Sequence, residues 1–266
     1  MNQAELSTDK ILVSVANNIK TITINNPKAK NSVSPSTSKA LCHAITESFM
    51  DGTRVIILTG AEGNFCSGAD LAESGFTDPK KYDVTKYLRE TINPIILNIR
   101  NLNIPVIAKV RGVAAGVGCN FALACDMVFA TPDAMFSQIF TNIGLSSDGG
   151  GAYFMTKTVG YKKAFELMTT AARISAPEAL HLNMINQIYS ENEIDQQVQA
   201  MAERIANGPF VAIQQTKANL REANYGTLES TLEMEAMNQA NNFQTDDFIE
   251  GIMAFMQKRK PNFKGK

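Results

Sequence analysis

The sequence has little of what usually announces a metal or nucleophilic centre. Its two histidines, His43 and His181, and four cysteines, Cys42, Cys66, Cys119 and Cys125, are scattered along 266 residues. None fall at ligand spacing, so no zinc site is expected, and the thiols read as buried and reduced, as in a cytosolic protein. A formal net charge of −1 gives no basic field for nucleic acid or an anionic membrane. No apolar run approaches the roughly 20 residues that span a bilayer. The N-terminus, Met1 to Leu6, lacks the basic and apolar regions of a secretory signal, so a cytoplasmic location is expected. Internal repeats and low-complexity segments are missing, and so is a P-loop. Gly112, Gly116 and Gly118 have the wrong spacing for a dinucleotide fingerprint.

What is present is an ordinary globular composition, 44% hydrophobic and 19% charged, long enough for one large domain or one domain with an appended helical segment. Residues 11–15 and 19–24 flank Asn17-Asn18, a pair that tolerates the positive φ of a hairpin turn. Ser34-Pro35 suits an N-cap and first helical position, with Leu41, Ala44, Ile45 and Phe49 as the apolar stripe and Asp51-Gly52 as the stop. Short apolar runs at residues 55–59, 106–110 and 127–130 read as strands covered on both faces. A helix is expected over residues 82–102, broken or kinked at Pro94. The alternation predicts an α/β class. After Gly160 the pattern is nearly all helix. Ser175-Ala176-Pro177-Glu178 has the form of a capping box, and amphipathic stretches run over residues 194–206, 210–223, 228–241 and 246–256. The expected organisation is a core of residues 1–199 and a helical subdomain of residues 200–266, suited to subunit assembly. Its methionine pairs, Met234 with Met237 and Met253 with Met256, share helix faces and read as packing.

Two stretches carry chemistry. Cys66-Ser67-Gly68-Ala69-Asp70-Leu71 follows a buried strand, and its small residues let the backbone approach a ligand with N–H groups unclaimed by a ladder. The second, residues 112–126, follows another strand and reads into a helix, so its N–H groups leave a helix N-terminus. Two such amides facing one another make an oxyanion hole, although a Gly-rich strand-to-helix turn alone is often only a packing turn.

Together, and in this order, the two stretches resemble those of the crotonase (enoyl-CoA hydratase/isomerase) family. The resemblance extends through Asn25-Asn26-Pro27-Lys28-Ala29-Lys30-Asn31, Phe136-Ser137-Gln138, residues 144–151, residues 173–179 and Lys258-Arg259-Lys260-Pro261-Asn262-Phe263, nearly the whole chain. It implies a spiral of ββα units, C-terminal helices used in a homotrimer or hexamer, and an acyl-CoA substrate, with coenzyme A entering as part of that substrate and no other cofactor. The family position of the oxyanion donors falls on the N–H groups of Ala69 and Val117, the second commonly a glycine. Ala69, Asp70, Leu71 and Ala72 would line the coenzyme A groove, and Lys28, Lys30 and the basic tail are candidates for phosphate contacts. Asn120 and Phe140 would face the acyl group.

The family's hydratases resemble two-carboxylate enzymes, and this chain has Asn120 and Phe140 where those glutamates stand. Neither side chain can exchange a proton near neutral pH. Asp148 is the carboxylate left in the region, at a place where some isomerases of the family carry their acid/base. It is expected to move a proton from C2 to C4 of a 3-enoyl thioester, with a pKa raised by apolar surroundings. A helix N-cap ahead of Gly149 is the bland reading of the same residue. Nucleophilic use of Asp148, as in dehalogenases of the family, would need a histidine between the two oxyanion stretches, which is missing. Hydratase activity, or loss of catalysis with retained coenzyme A binding, are the alternatives.

Overall fold

The computed structural model describes residues 9–72 and 82–266, so Met1 to Leu6 lie outside the described residues. The expected hairpin forms: β1 (Ile11–Ala16) and β2 (Ile19–Ile24) pair antiparallel around Asn17 and Asn18, at φ 52° and 61°. Those positive angles match the twist of the flanking strands.

From β2 the chain winds as a spiral. Each turn gives one strand to a main sheet, one extended piece to a smaller sheet, and then helix. The first turn is β2, Val33 and α1 (Pro35–Glu47). The second is β3 (Val55–Gly60), residues 66–69, α2 (Val84–Tyr87), a π-helical turn (Leu88–Ile92) and α3 (Asn93–Asn101). The third is β4 (Val106–Val110), β5 (Val113–Ala115) and α4 (Val117–Ala124), and the fourth β6 (Met127–Ala130), β7 (Met135–Ser137) and α5 (Gly151–Thr169). β8 (Arg173–Ser175), α6 (Ala176–His181) and β9 (Gln187–Ile188) follow, three short pieces that include strands the all-helical reading of this region did not anticipate. The main sheet runs β1-β2-β3-β4-β6-β9 and is parallel from β2 onward. The smaller is β5-β7-β8, prolonged by bridges from Cys66 to Ala114 and from Val33 to Ala69.

The central parallel strands β3, β4 and β6 are buried on both faces, as their continuous apolar runs require, whereas β1 lies exposed at the edge. Ile22, Ile56, Leu58, Val106 and Ala108 point into the larger core, while Val55, Ile57, Ile107 and Phe129 meet Ile194, Val198, Ala202 and Ala206 of α7 (Ile194–Ala206). Helix α7 therefore belongs to the core, and the expected boundary between residues 199 and 200 would cut through it. The outer helices begin with α8 (Phe210–Tyr225), followed by α9 (Leu228–Asn242) and α10 (Asp246–Met256). α8 is anchored by Lys217, whose Nζ donates to Asp126 at 2.7 Å and to the carbonyls of Ile99 and Ile104.

Smaller expectations resolve locally. Ser34 caps α1 by accepting from the N–H of Thr37, but the helix ends at Glu47, and Phe49 is exposed rather than part of the apolar stripe. Pro94 opens α3, and the turn before it loosens to i→i+5 spacing, with the Asn93 N–H donating to Leu88 O. The proline ring would crowd a regular turn there, and the wider turn relieves it. No helix among the described residues is long and apolar enough to cross a membrane.

Candidate active site

The two Gly-rich stretches lie side by side because β3 and β4 are neighbours and each chain crosses from the main sheet to the smaller one at the same level. Cys66 N donates to Val113 O and Ala115 N donates to Cys66 O, both at 2.9 Å. The approach is close enough to forbid a side chain: a Cβ on Gly118 would lie 2.2 Å from Cys66 O. A Cβ on Gly68 would stand 3.8 Å from Val117 N, which measures how near the two stretches come.

The pairing with Val33 uses the amides on either side of Ala69. Val33 N donates to Gly68 O, and Asp70 N donates to Val33 O. The Ala69 N–H is left out of that ladder. Val117 is the first residue of α4, where a helix leaves its N–H groups without intrahelical acceptors. Neither N–H meets an acceptor among the described residues. Two unclaimed donors, one backed by a helix N-terminus, have the makings of an oxyanion hole.

Asp148 lies in the loop before α5. That helix begins at Gly151 with Gly150 as its cap, so the side chain of Asp148 is not the N-cap. Its Oδ1 is buried without a hydrogen-bond partner among the described residues. Burial raises its pKa from 3.8 to about 6, as expected for a carboxyl shielded from water. The shielding is built by its neighbours. Beside it, Gly149 at φ 54° sits where a Cβ would be 2.9 Å from Val117 Cγ2 and 3.3 Å from Ile92 Cγ2. Val117 thus carries an unclaimed amide while its side chain packs beneath the Asp148 turn.

Asn120 departs from the expected contact with the acyl group. It is fully buried, and both ends of its amide are engaged within the protein. Nδ2 donates to the backbone carbonyl of Asp148 at 2.8 Å, and Oδ1 accepts from Gln138 Nε2 at 2.7 Å. Ser147 Oγ donates to Gln138 Oε1 at 3.1 Å and closes the network. Asn120 therefore positions the carboxylate loop.

Phe140 is buried, with its ring edge 3.8 Å from where a Gly116 Cβ would be, so it backs the turn that carries the Val117 amide. Exposed Lys28 and Lys30 lie beside the first stretch: Ser67 N donates to Lys30 O and Ser67 Oγ to Ala29 O. Leu71 and Ala72 are exposed on the same side, and Asp70 accepts from Ser32 Oγ and from the Ala72 N–H. The basic tail is turned onto α10 instead. Arg259 pairs with Glu250, and Asp247 accepts from the backbone of Lys264 and Gly265.

Several residues escaped the sequence reading. Asn31 is fully buried and staples two loops, its Nδ2 donating to Ala61 O and Asn64 O while its Oδ1 accepts from Asn26 N. Gln138 and Ile92 reach the site through tertiary contacts that no local pattern encodes. The histidines stay on helices, His43 beside Glu47 on α1 and His181 exposed on α6. Cys66, Cys119 and Cys125 are buried free thiols, and Cys42 is half-buried; burial pushes Cys66 and Cys119 up to about 12.

Comparison with known proteins agrees with this geometry. A sequence model described as enoyl-CoA hydratase/isomerase matches residues 14–266. The chain is 32% identical over 261 residues to a probable enoyl-CoA hydratase of Rhodobacter capsulatus, covering 98% of this chain and 100% of that protein. It is also 32% identical over 259 residues to the 1,2-epoxyphenylacetyl-CoA isomerase of Escherichia coli, covering 96% and 98%. The crystal structure of an enoyl-CoA hydratase from Bacillus anthracis superposes with a TM-score of 0.91 at 30% identity, over 97% of this chain and 100% of that one. With its spiral fold and paired Gly-rich stretches, the chain belongs to the crotonase (enoyl-CoA hydratase/isomerase) family.

Proposed function

We propose that this member of an acyl-CoA-transforming family is an enoyl-CoA isomerase that shifts a double bond through a thioester enolate, with Asp148 as its acid/base. The observation that carries the reading is the unpartnered carboxyl of Asp148, poised near pH 6, beside an Asn120 and a Phe140 that cannot exchange protons. In the reaction, Asp148 takes the proton from C2 of a 3-enoyl-CoA. The electrons of that C–H bond form C1=C2 as a pair of the thioester C=O moves onto oxygen; when this dienolate collapses, the C=O re-forms, the C1=C2 pair becomes C2=C3, and the C3=C4 pair takes the proton back from Asp148 at C4. Between the two transfers the negative charge rests on the thioester oxygen, held by the N–H groups of Ala69 and Val117. One carboxyl serves both transfers, and a pKa near 6 keeps it mostly ionised at neutral pH yet basic enough to act. The chemistry asks for no metal or redox cofactor.

The names of the relatives include both hydratases and isomerases, so the assay must offer both substrates. Purified protein is given 3-enoyl-CoA, 2-enoyl-CoA and an epoxyphenylacetyl-CoA. Turnover of the first or third, lost in Asp148→Asn, supports the isomerase. Turnover of the second alone would make the protein a hydratase, and binding without turnover would leave it non-catalytic. Assembly as a trimer or hexamer belongs to the same proposal, supported by exposed Leu228, Leu232, Ile252, Phe255 and Met256 on α9 and α10.

A further inference from the structure

The turn that carries Asp148 is seated on three side chains from two elements. A Cβ placed on Gly149, the next residue, would stand 2.9 Å from Val117 Cγ2, 3.3 Å from Ile92 Cγ2 and 3.7 Å from Asn120 Nδ2. Val117 and Asn120 come from α4, and Ile92 ends the π-helical turn of residues 88–92. All three side chains are buried. Gly149 has φ 54°, so its bare Cα both permits the turn and lets it settle this deep.

Two of these contacts are made by the same kind of group, a methyl on a β-branched side chain. In a helix such a side chain keeps essentially one χ1 rotamer, so its β-methyl is fixed to the backbone that bears it. A turn resting on two such methyls has little freedom to shift. We propose that the Cγ2 methyls of Ile92 and Val117 are positioning groups, which with Asn120 fix the Asp148 turn and so where its carboxyl stands relative to the Val117 N–H. Asn120 Nδ2 holds the Asp148 carbonyl while the methyls pack against Gly149, so the peptide between the two residues is gripped at both ends. Val117 joins the two halves of the site directly, with its N–H unclaimed and its methyl under the turn. A π-helical turn is often found at a functional site, and this one delivers the second methyl. The same packing keeps water from the carboxyl, and that burial raises Asp148 to about 6. Charge has little part in it. Tyr87 on α2 is within electrostatic reach, but its phenol is raised to about 12 and stays neutral. Arg89 and Glu90 on the π-helical turn are exposed, and the one ionisable group on α4 is the neutral thiol of Cys119. Residues 139–143 carry none, and Tyr153 of α5 bonds to Asn224 and stacks on Tyr225.

This inference rests on the reading of Asp148 as the acid/base. Ile92 tests it, because the backbone of Ile92 has no part in the oxyanion hole. Ile92→Leu keeps every carbon but moves the branch off Cβ, a swap that cores tolerate. Ile92→Val keeps the β-methyl and drops only the outermost carbon. Ile92→Leu should lower kcat for a 3-enoyl-CoA by about tenfold with KM little changed. It should also bring the pH midpoint of kcat/KM down from near 6 by about half a unit or more, as water reaches the carboxyl. Ile92→Val should return both to near the wild-type values. An unmoved midpoint in Ile92→Leu, or an equal fall in Ile92→Val, overturns the positioning role. A second measurement needs no substrate. Asp148→Asn should raise the melting temperature at pH 8 by less in the Ile92→Leu background than in the wild type, because the charge it removes is there less shielded. An equal gain in the two backgrounds overturns the role. A smaller gain in a protein that turns over no 3-enoyl-CoA sustains the seat and sinks only the isomerase.

Discussion

Asn120 fastens Asp148 by its backbone and not by its carboxylate: Nδ2 donates to the Asp148 carbonyl at 2.8 Å, while Oδ1 of Asp148 has no hydrogen-bond partner among the described residues. Asn120, which the family resemblance sets where a hydratase glutamate is expected, is thus the clamp on the loop of another acid. The carboxylate is held in place without being neutralised by a donor, which preserves its basicity.

Asp148→Asn should lower turnover of a 3-enoyl-CoA by about 10²–10⁴, the usual worth of a general acid/base. In the wild type, kcat/KM should rise with pH and level off, with a midpoint near 6, because the ionised form is the one that takes the C2 proton. A midpoint near 4, or a residual rate close to wild type in the folded variant, would exclude Asp148 from the chemistry.

The same substitution should make the protein more stable at pH 8. A carboxyl whose pKa is raised on folding, from 3.8 to about 6, contributes its full stability below 3.8 and loses it as the pH rises through 6. Above pH 6 the wild type bears the cost of a shielded charge that the amide does not. Allowing for the partial exposure of the side chain, the gain is about 1–2 kcal/mol. Thermal unfolding of both proteins from pH 4 to pH 8 should show the difference widening with pH.

On the proposed mechanism, Asn120→Ala should lower kcat by roughly tenfold to a hundredfold, with KM moving little, because displacing the acid/base costs rate before it costs binding. It also strips Gln138 Nε2 of its acceptor, for a stability loss of about 1–3 kcal/mol. Steady-state kinetics and urea unfolding separate the two effects. A change confined to KM would mark Asn120 as a substrate contact after all.

Gly118→Ala should cost about 3 kcal/mol or more, because its Cβ would stand 2.2 Å from a backbone oxygen that has little room to retreat. The loss should appear in urea unfolding. An unaffected midpoint would mean that the two oxyanion stretches are not held this closely.

Lys217→Ala should destabilise the protein by about 3–5 kcal/mol, since it leaves Asp126 without the ammonium it shares and two carbonyls without a donor. Chemical unfolding would show it, with α8 becoming the first helix to exchange its amide protons. Retained protection across α8 would contradict its role as the anchor.

Much of this was open to reading along the chain. The Asn17-Asn18 hairpin, the Ser34 cap and the buried parallel strands are local consequences of backbone preference and apolar patterning, and sequence suffices for them. So do the two Gly-rich stretches, whose small residues betray a close backbone approach, and the family they resemble. Asp148 could be singled out, through the family resemblance, as the candidate acid/base, but not its surroundings. Whether its side chain capped α5 depended on where the helix begins, a matter of one or two residues. Only the folded chain showed that Gly150 takes that place, that Asn120 turns inward to Gln138 and the Asp148 backbone, and that α7 seals the main sheet. Local patterns decide which segments are strand, helix or turn. Which polar atoms are left without partners, and therefore what the site can bind and do, is settled by contacts between segments far apart in the chain.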